Sequence, residues 1–215
     1  MSQVLTPDKA LIFRITHLQN IPWILRNGLH SASSLRDPGF VSVGDKEIIQ
    51  RRKAVKVPIR PFGDLSDYVP FYFTPYSPML LNIKTGYRGM TAHPNRDIVF
   101  LVSSLHKVLE VGASFLFTDR HPLAAPSIAR FSSNLNQLAA FVPWSLLQKR
   151  DFKRDPEQPE KLERYQAEAL IHQHLPVSAL LGIVGSNEEI AAQLNRQTRT
   201  EGLDIQVFAR GNWYF

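Results

Sequence analysis

The chain contains no cysteine at any of its 215 positions, which excludes disulfides, thiolate catalysis and Cys-based zinc sites without by itself fixing the compartment. Any metal would have to be held by His and carboxylates. No apolar run approaches the ~20 residues a membrane-spanning helix needs, and the N-terminus lacks a basic segment followed by a long apolar core. A cytoplasmic protein with no membrane partner is the simplest expectation. Gly-rich phosphate-binding loops are also missing: Gly182-Ile183-Val184-Gly185 lacks the spacing of a Walker or dinucleotide fingerprint. Internal repeats and low-complexity tracts are absent as well.

What is present is ordinary for a folded domain, with 44% hydrophobic and 20% charged residues. At this length one domain spanning residues 1–215 is expected to bury a full core. The formal net charge of +6 and a pI near 9.7 favour an anionic partner: nucleic acid, a phosphorylated cofactor or a membrane surface.

Hydrophobic patterning predicts strands over residues 10–16, 68–74, 97–103, 114–118, 181–184 and 205–209. Helices are expected over residues 20–28, capped by Asn20 with Pro22 in the first turn and Gly28 as the stop, and over 45–53, 104–111, 127–140 and 187–198. Residues 31–44 carry turn chemistry, and 150–160 form a charged, Pro-containing loop. Strands and helices are interspersed without regular βαβ alternation, which points to an α+β domain rather than a doubly wound one.

The segment YQAEALIH (residues 165–172) carries one carboxylate, Glu168, in an otherwise apolar run. Burying an unpaired charge costs several kcal/mol, so a retained one is a functional candidate. In an extended chain Gln166 and Glu168 share a face; the alternatives are a solvent-facing edge strand or an amphipathic helix over residues 160–175. Arg14 is a second charge inside a predicted strand. In residues 68–74, Phe71 and Phe73 share one face and Tyr72 takes the other. His172 and His174 would share a strand face, but two His without a third ligand make a weak metal site, and none is expected.

Arg14 on one strand, Tyr72 on a second and Gln166 with Glu168 on a third resemble the NAD-converging motifs of the ADP-ribosyltransferase superfamily. Longer strings narrow the resemblance: ITH (15–17) with Asn20, Ile21, Ile24 and Leu25, DYVPFYFTPYSPM (67–79), FTDRH (117–121) and YQAEALIH (165–172). These, in this order, resemble the DarT family of DNA ADP-ribosyltransferase toxins, paired with the macrodomain antitoxin DarG. The likeness runs from about Lys9 to Phe215. Some relatives carry His where this chain has Arg14.

The resemblance implies a single-domain ADP-ribosyltransferase-like fold with a mixed, mainly antiparallel, split β core. It implies NAD as co-substrate, with no metal, and transfer of ADP-ribose to a base of single-stranded DNA, most readily thymine. Guanine-, RNA- or protein-directed transfer, or a non-catalytic nucleic-acid-binding module, are the alternatives. Glu168 would face the positive charge that develops on the ribose as nicotinamide leaves. Arg52 would stabilise the target base as its ring nitrogen attacks, since a guanidinium stays protonated; a solvated helix end is the competing reading. Arg14, Thr16, His17, Tyr72 and Gln166 are the expected NAD contacts. Arg51, Lys53, Met79, His121, Lys153 and Arg154 are the expected DNA contacts, with Lys56, Arg60, Lys149 and Arg150 as further phosphate candidates.

Overall fold

The computed structural model describes residues 5–123 and 128–215. In chain order the elements are β1 (Leu11–His17), α1 (Ile21–Asn27), β2 (Leu29–His30), α2 (Lys46–Arg52), β3 (Tyr68–Tyr72), α3 (Pro78–Thr85), β4 (Ile98–Ser104), α4 (Leu105–Glu110), β5 (Phe115–Thr118), β6 (Phe131–Ser132), α5 (Leu138–Phe141), α6 (Trp144–Lys149), α7 (Lys161–Tyr165), β7 (Glu168–His172), β8 (His174–Leu175), β9 (Gly182–Gly185), α8 (Glu188–Thr200) and β10 (Val207–Ala209). One sheet runs in the order β10-β9-β4-β1-β3-β7-β5-β6, and β2 pairs separately with β8. Only β9 and β10 run parallel; the other paired strands are antiparallel. This is the mixed α+β fold expected from the interspersed pattern.

The continuous apolar run of β4 is buried along its whole length because it lies inside the sheet, between β1 and β9. The sheet splits between β1 and β3, which share the single register pair Phe13 and Tyr72. Pro70 explains how the split is tolerated. In an antiparallel strand a residue's N–H and C=O point to the same side, so the N–H that proline lacks is missing on the side of the gap. The Pro70 carbonyl there accepts from Arg14 Nη1 at 2.9 Å.

Alternation along β3 separates two environments. Val69, Phe71 and Phe73 enter the main core with Ala169, Ile171, Phe115 and Phe117. On the opposite face Tyr68 packs with Leu116 and Leu170 in a second, smaller cluster that includes Val57, Leu65 and Leu123. Helix α8 closes one end of the sheet through Ile190, Ala191 and Leu194, capped by Asn187, with Glu188 and Glu189 in its first turn and Arg199 in its last.

Four expectations are corrected. Asn20 does not cap α1 with its side chain: it ends a 3-10 turn and is buried, while His17 supplies the cap of that turn. The predicted helix over 127–140 is a short strand β6, a 3-10 turn and the four-residue α5; Ser127 itself lies outside the described residues. Gln166 is not extended, because it terminates α7 and the strand starts at Glu168. His172 and His174 do not share a strand face, since Gln173 adopts φ 56° between them and breaks the strand.

Candidate active site

Glu168 opens β7 on the face away from the main core, opposite Tyr72 in register. Its backbone N–H donates to Thr118 Oγ1 at 3.0 Å, and that hydroxyl donates to the Arg120 carbonyl at 2.7 Å. The start of β7 is thereby tied to the loop leaving β5. The Glu168 side chain is 2% exposed and accepts from Arg52 Nη1 at 2.9 Å (Oε2) and 3.3 Å (Oε1). A buried carboxylate tolerates such a position because a cation meets it there.

Arg52 reaches Glu168 from the last residue of α2, a helix started by Asp45, whose side chain accepts from the N–H groups of Glu47 and Ile48. Its Nη2 is buried and finds no partner among the described residues, as is Arg14 Nε. Burial, and then the neighbouring Arg52 charge, push the Arg14 guanidinium down to about 10. Tyr72 is pushed upward by burial and by Glu168, so its hydroxyl stays protonated.

His121 completes the ring around the carboxylate. Its backbone N–H donates to the Glu163 carbonyl at 2.8 Å, and its Nδ1 accepts from the Leu123 N–H at 3.2 Å. The ring proton therefore sits on Nε2, 3.7 Å from Glu168 Oε1. Burial lowers the imidazole below its usual range, with Glu168 opposing and the two arginines Arg52 and Arg51 adding to the shift. Two guanidinium cations thus face one carboxylate, beside a neutral imidazole and a neutral phenol. The site is short of one negative charge and retains two unsatisfied N–H donors. Such a site fits a phosphorylated, oxygen-rich ligand.

These groups line a single cavity of about 190 Å³. Of the residues expected from sequence, it gathers Arg14, Thr16, Arg52, Tyr72, Met79, His121, Gln166 and Glu168. Gln166 reaches it from the end of α7, with Nε2 donating to the Leu162 carbonyl at 3.0 Å, so it joins Glu168 in the lining from across a turn and not along a strand. Phe71 and Phe73 stay in the core, as their alternation required.

Residues 40–45 form another part of the wall; all but Asp45 lie in the stretch whose turn chemistry predicts no regular element. Asn20 holds it: its Oδ1 accepts from Val41 N at 2.8 Å, while Nδ2 donates to Val41 O at 2.8 Å and to Thr16 Oγ1 at 3.0 Å. Asn20 and Thr118 are positioning residues that sequence reasoning missed. Asn82 was missed as a lining residue, although its place three residues after Met79 on one helix was a readable signal.

His17 is not brought into this cavity; it lines a neighbouring groove with Gln19, His93, Asp97, Gln193 and Gln197. His17, His93 and Asp97 each offer a ligand atom within 4.8 Å of the others. However, His17 Nδ1 already accepts from the Gln19 N–H at 3.2 Å, so its other nitrogen carries the proton and no lone pair remains for a metal. Arg51 turns to the Leu123 carbonyl at 3.1 Å. Lys53, Lys153 and Arg154 are exposed outside the cavity.

The loop after β5 is held by Asp119, which is buried and accepts from the Arg130 N–H and Nε, both at 2.9 Å. Burial pushes its carboxyl upward, but the Arg130 hydrogen bonds and the Arg120 charge outweigh this and hold it below the usual range.

The family described as "ssDNA thymidine ADP-ribosyltransferase, DarT" matches residues 13–215. A DNA ADP-ribosyl transferase of Escherichia coli O127:H6 (strain E2348/69 / EPEC) is 47% identical over 215 residues, which covers 100% of this chain and 97% of that one. Thermus sp. 2.9 DarT in complex with ADP-ribosylated ssDNA superposes with a TM-score of 0.87 at 32% identity, covering 97% of this chain and 98% of that one. Thermus sp. 2.9 DarT in complex with NAD+ gives a TM-score of 0.79 at 31% identity, covering 97% and 99%.

Proposed function

This chain belongs to the DarT family of single-stranded DNA thymidine ADP-ribosyltransferases, and we propose that the Arg52–Glu168 cavity is where it carries out that reaction. The chain is an NAD-dependent DNA ADP-ribosyltransferase. The observation that carries the site assignment is the buried Arg52–Glu168 pair, set beside two guanidinium N–H donors that have no partner among the described residues.

NAD supplies an ADP-ribosyl group whose bond to nicotinamide breaks with the electron pair leaving on nicotinamide and positive charge building on the ribose. Arg14 and the free edge of Arg52 are suited to hold anionic oxygens, and Thr16, Tyr72 and Gln166 supply the remaining polar and aromatic lining. Glu168, fixed by Thr118 and Arg52, presents preorganised negative charge to the ribose, where it stabilises the transition state more than the ground state. The acceptor is a ring nitrogen of thymine. As the new N–C bond forms, the N–H proton passes to Glu168, while Arg52 remains protonated and stabilises the charge developing on the base. Met79 and His121 border the space for that base.

The pairing edge of a base is reachable only when it is unpaired, which accounts for a single-stranded acceptor. ADP-ribose on that edge blocks pairing, so the same chemistry makes the chain a toxin, with the macrodomain antitoxin DarG as its partner, acting in the cytoplasm as one domain over residues 1–215. No helix among the described residues is long and apolar enough to cross a membrane. Lys53, Lys153 and Arg154 contact DNA phosphates outside the cavity.

The test is mass spectrometry of oligonucleotides, each differing at one base, after incubation with NAD. An ADP-ribose increment confined to thymine-containing strands, with stoichiometric nicotinamide release, is expected. Release without any increment, or an increment on thymine-free strands alone, overturns the assignment.

A further inference from the structure

Residues 51–63 contain five basic residues and no acidic one. The stretch begins at the end of α2, where Arg52 enters the cavity, and closes into a compact loop. Val57 N–H donates to the Gly63 carbonyl at 2.9 Å, Leu65 N–H to the Val55 carbonyl at 2.9 Å, and Lys56 pairs with Asp64 at 2.8 Å. At its tip Phe62 is 48% exposed and adopts φ 67°. A left-handed backbone is costly for a bulky residue, and glycine would take it freely. The conformation is held from both sides: Phe62 N–H donates to the Ile59 carbonyl at 2.8 Å, and its own carbonyl accepts from the Tyr68 hydroxyl at 2.6 Å. The chain thus holds an aromatic ring in water at a backbone cost, with the Arg60 guanidinium 5.8 Å from the ring centroid and Lys53 and Lys56 exposed nearby in sequence.

Tyr68, which anchors this tip, lies on the same face of β3 as Tyr72, four residues along the strand. At ~3.3 Å per residue this is about 13 Å from the catalytic end. Tyr68 thus stands one strand length from the catalytic end, and Phe62, tied to its hydroxyl and absent from the cavity lining, lies outside the cavity. Lys56 and Arg52 already have carboxylate partners in Asp64 and Glu168, which leaves Lys53 and Arg60 as the cations beside the ring with no ion pair among the described residues. An exposed aromatic with such cations is the arrangement that binds single-stranded nucleic acid, by stacking a base and holding the flanking phosphates. We propose that Phe62 is a stacking platform for a nucleotide flanking the modified base, with Lys53 and Arg60 on the adjoining phosphates. This rests on the single-stranded DNA reading of the site and adds a subsite outside the cavity.

The experiment compares wild type with Phe62→Ala, Phe62→Trp and Phe62→Gly in the full chain. Transfer is followed on a series of oligonucleotides lengthened in either direction from one thymine, together with binding of the same oligonucleotides by fluorescence anisotropy. For long oligonucleotides, Phe62→Ala is expected to raise KM and Kd about tenfold, with kcat and the KM for NAD unchanged. Phe62→Trp is expected to restore or tighten binding, and the difference is expected to vanish on the shortest strands. Phe62→Gly is expected to melt at or above Phe62→Ala, because glycine accepts the backbone angle, yet to lose the same DNA affinity.

Wild-type affinity for long strands in both Phe62→Ala and Phe62→Gly overturns the inference. So does a loss that is equal at every length. A wild-type chain that modifies no oligonucleotide would instead overturn the functional reading on which the inference stands.

Discussion

Replacing Glu168 with Gln keeps the side chain's shape and one oxygen acceptor while removing its charge. In the folded chain this carboxylate is 2% exposed and meets Arg52 at 2.9 Å, with Arg52 itself 9% exposed. Removing the charge leaves a buried guanidinium facing a neutral amide. Charge-assisted hydrogen bonds of this kind contribute roughly 1.5–3 kcal/mol, and the amide oxygen retains part of that, so a stability loss of about 2 kcal/mol is expected. For a chain of this size that corresponds to a melting temperature lower by about 4–8 °C. The fold therefore survives at assay temperature.

Catalysis suffers far more. A single preorganised electrostatic contact to a developing charge supplies a factor of roughly 10²–10³, and Glu168 would act both on the ribose cation and as proton acceptor. A loss of at least about 10³ in kcat is expected, with the KM for NAD changed little because Arg14 and the other lining groups remain. The assay pairs nicotinamide release with intact-mass measurement of a thymine-containing oligonucleotide, alongside a thermal melt of each protein. Turnover within tenfold of wild type would refute the role given to Glu168. A loss of turnover that merely tracks the fraction unfolded would reduce the residue to a structural one.

Arg52→Lys retains a cation beside Glu168 but replaces the planar fork by a compact ammonium; kcat is expected to fall about tenfold or more with the melting temperature nearly kept, as steady-state kinetics and calorimetry would show. Asn20→Ala leaves both backbone groups of Val41 and the Thr16 hydroxyl without their present partners, so a loss of about 2–4 kcal/mol and a raised KM for NAD are expected from denaturant melts and kinetics. His121 and His17 are both lowered from their usual 6.5, chiefly by burial. The unfolded chain then takes up protons before the folded one, so stability is flat above about pH 6.5 and falls as pH drops below it. Melting temperatures measured from pH 8 to 5 should show that slope, and His121→Gln should reduce it.

Most of the strands were legible because their determinants are local. The apolar run of β4, the alternation that sends Phe71 and Phe73 inward and Tyr72 to the other face, and the helical stretch of α2 are set by neighbours a few residues apart. The region 127–140 misled because its helical pattern is interrupted in the fold by β6 and a 3-10 turn, where sheet pairing with β5 overrides propensity. Asn20 looked like a helix cap because its type and place fit one, whereas its amide is committed to Val41 and Thr16.

Which charges lie in apolar segments, Arg14 and Glu168, is written along the chain, and so is their need for partners once buried. The chain also carries the motif order that joins Gln166, Arg52 and Tyr72 to them. That Arg52, 116 residues away in the chain, is the partner of Glu168 follows from the folded arrangement alone. The same holds for His17, which lines a different groove while Thr16 lines the cavity, and for Gln166, which enters the cavity from the end of α7. A charge's need for compensation is a property of the residue, but the group that meets it is chosen by strand register, the sheet split at Pro70 and the docking of α2, none of which is encoded within any one segment.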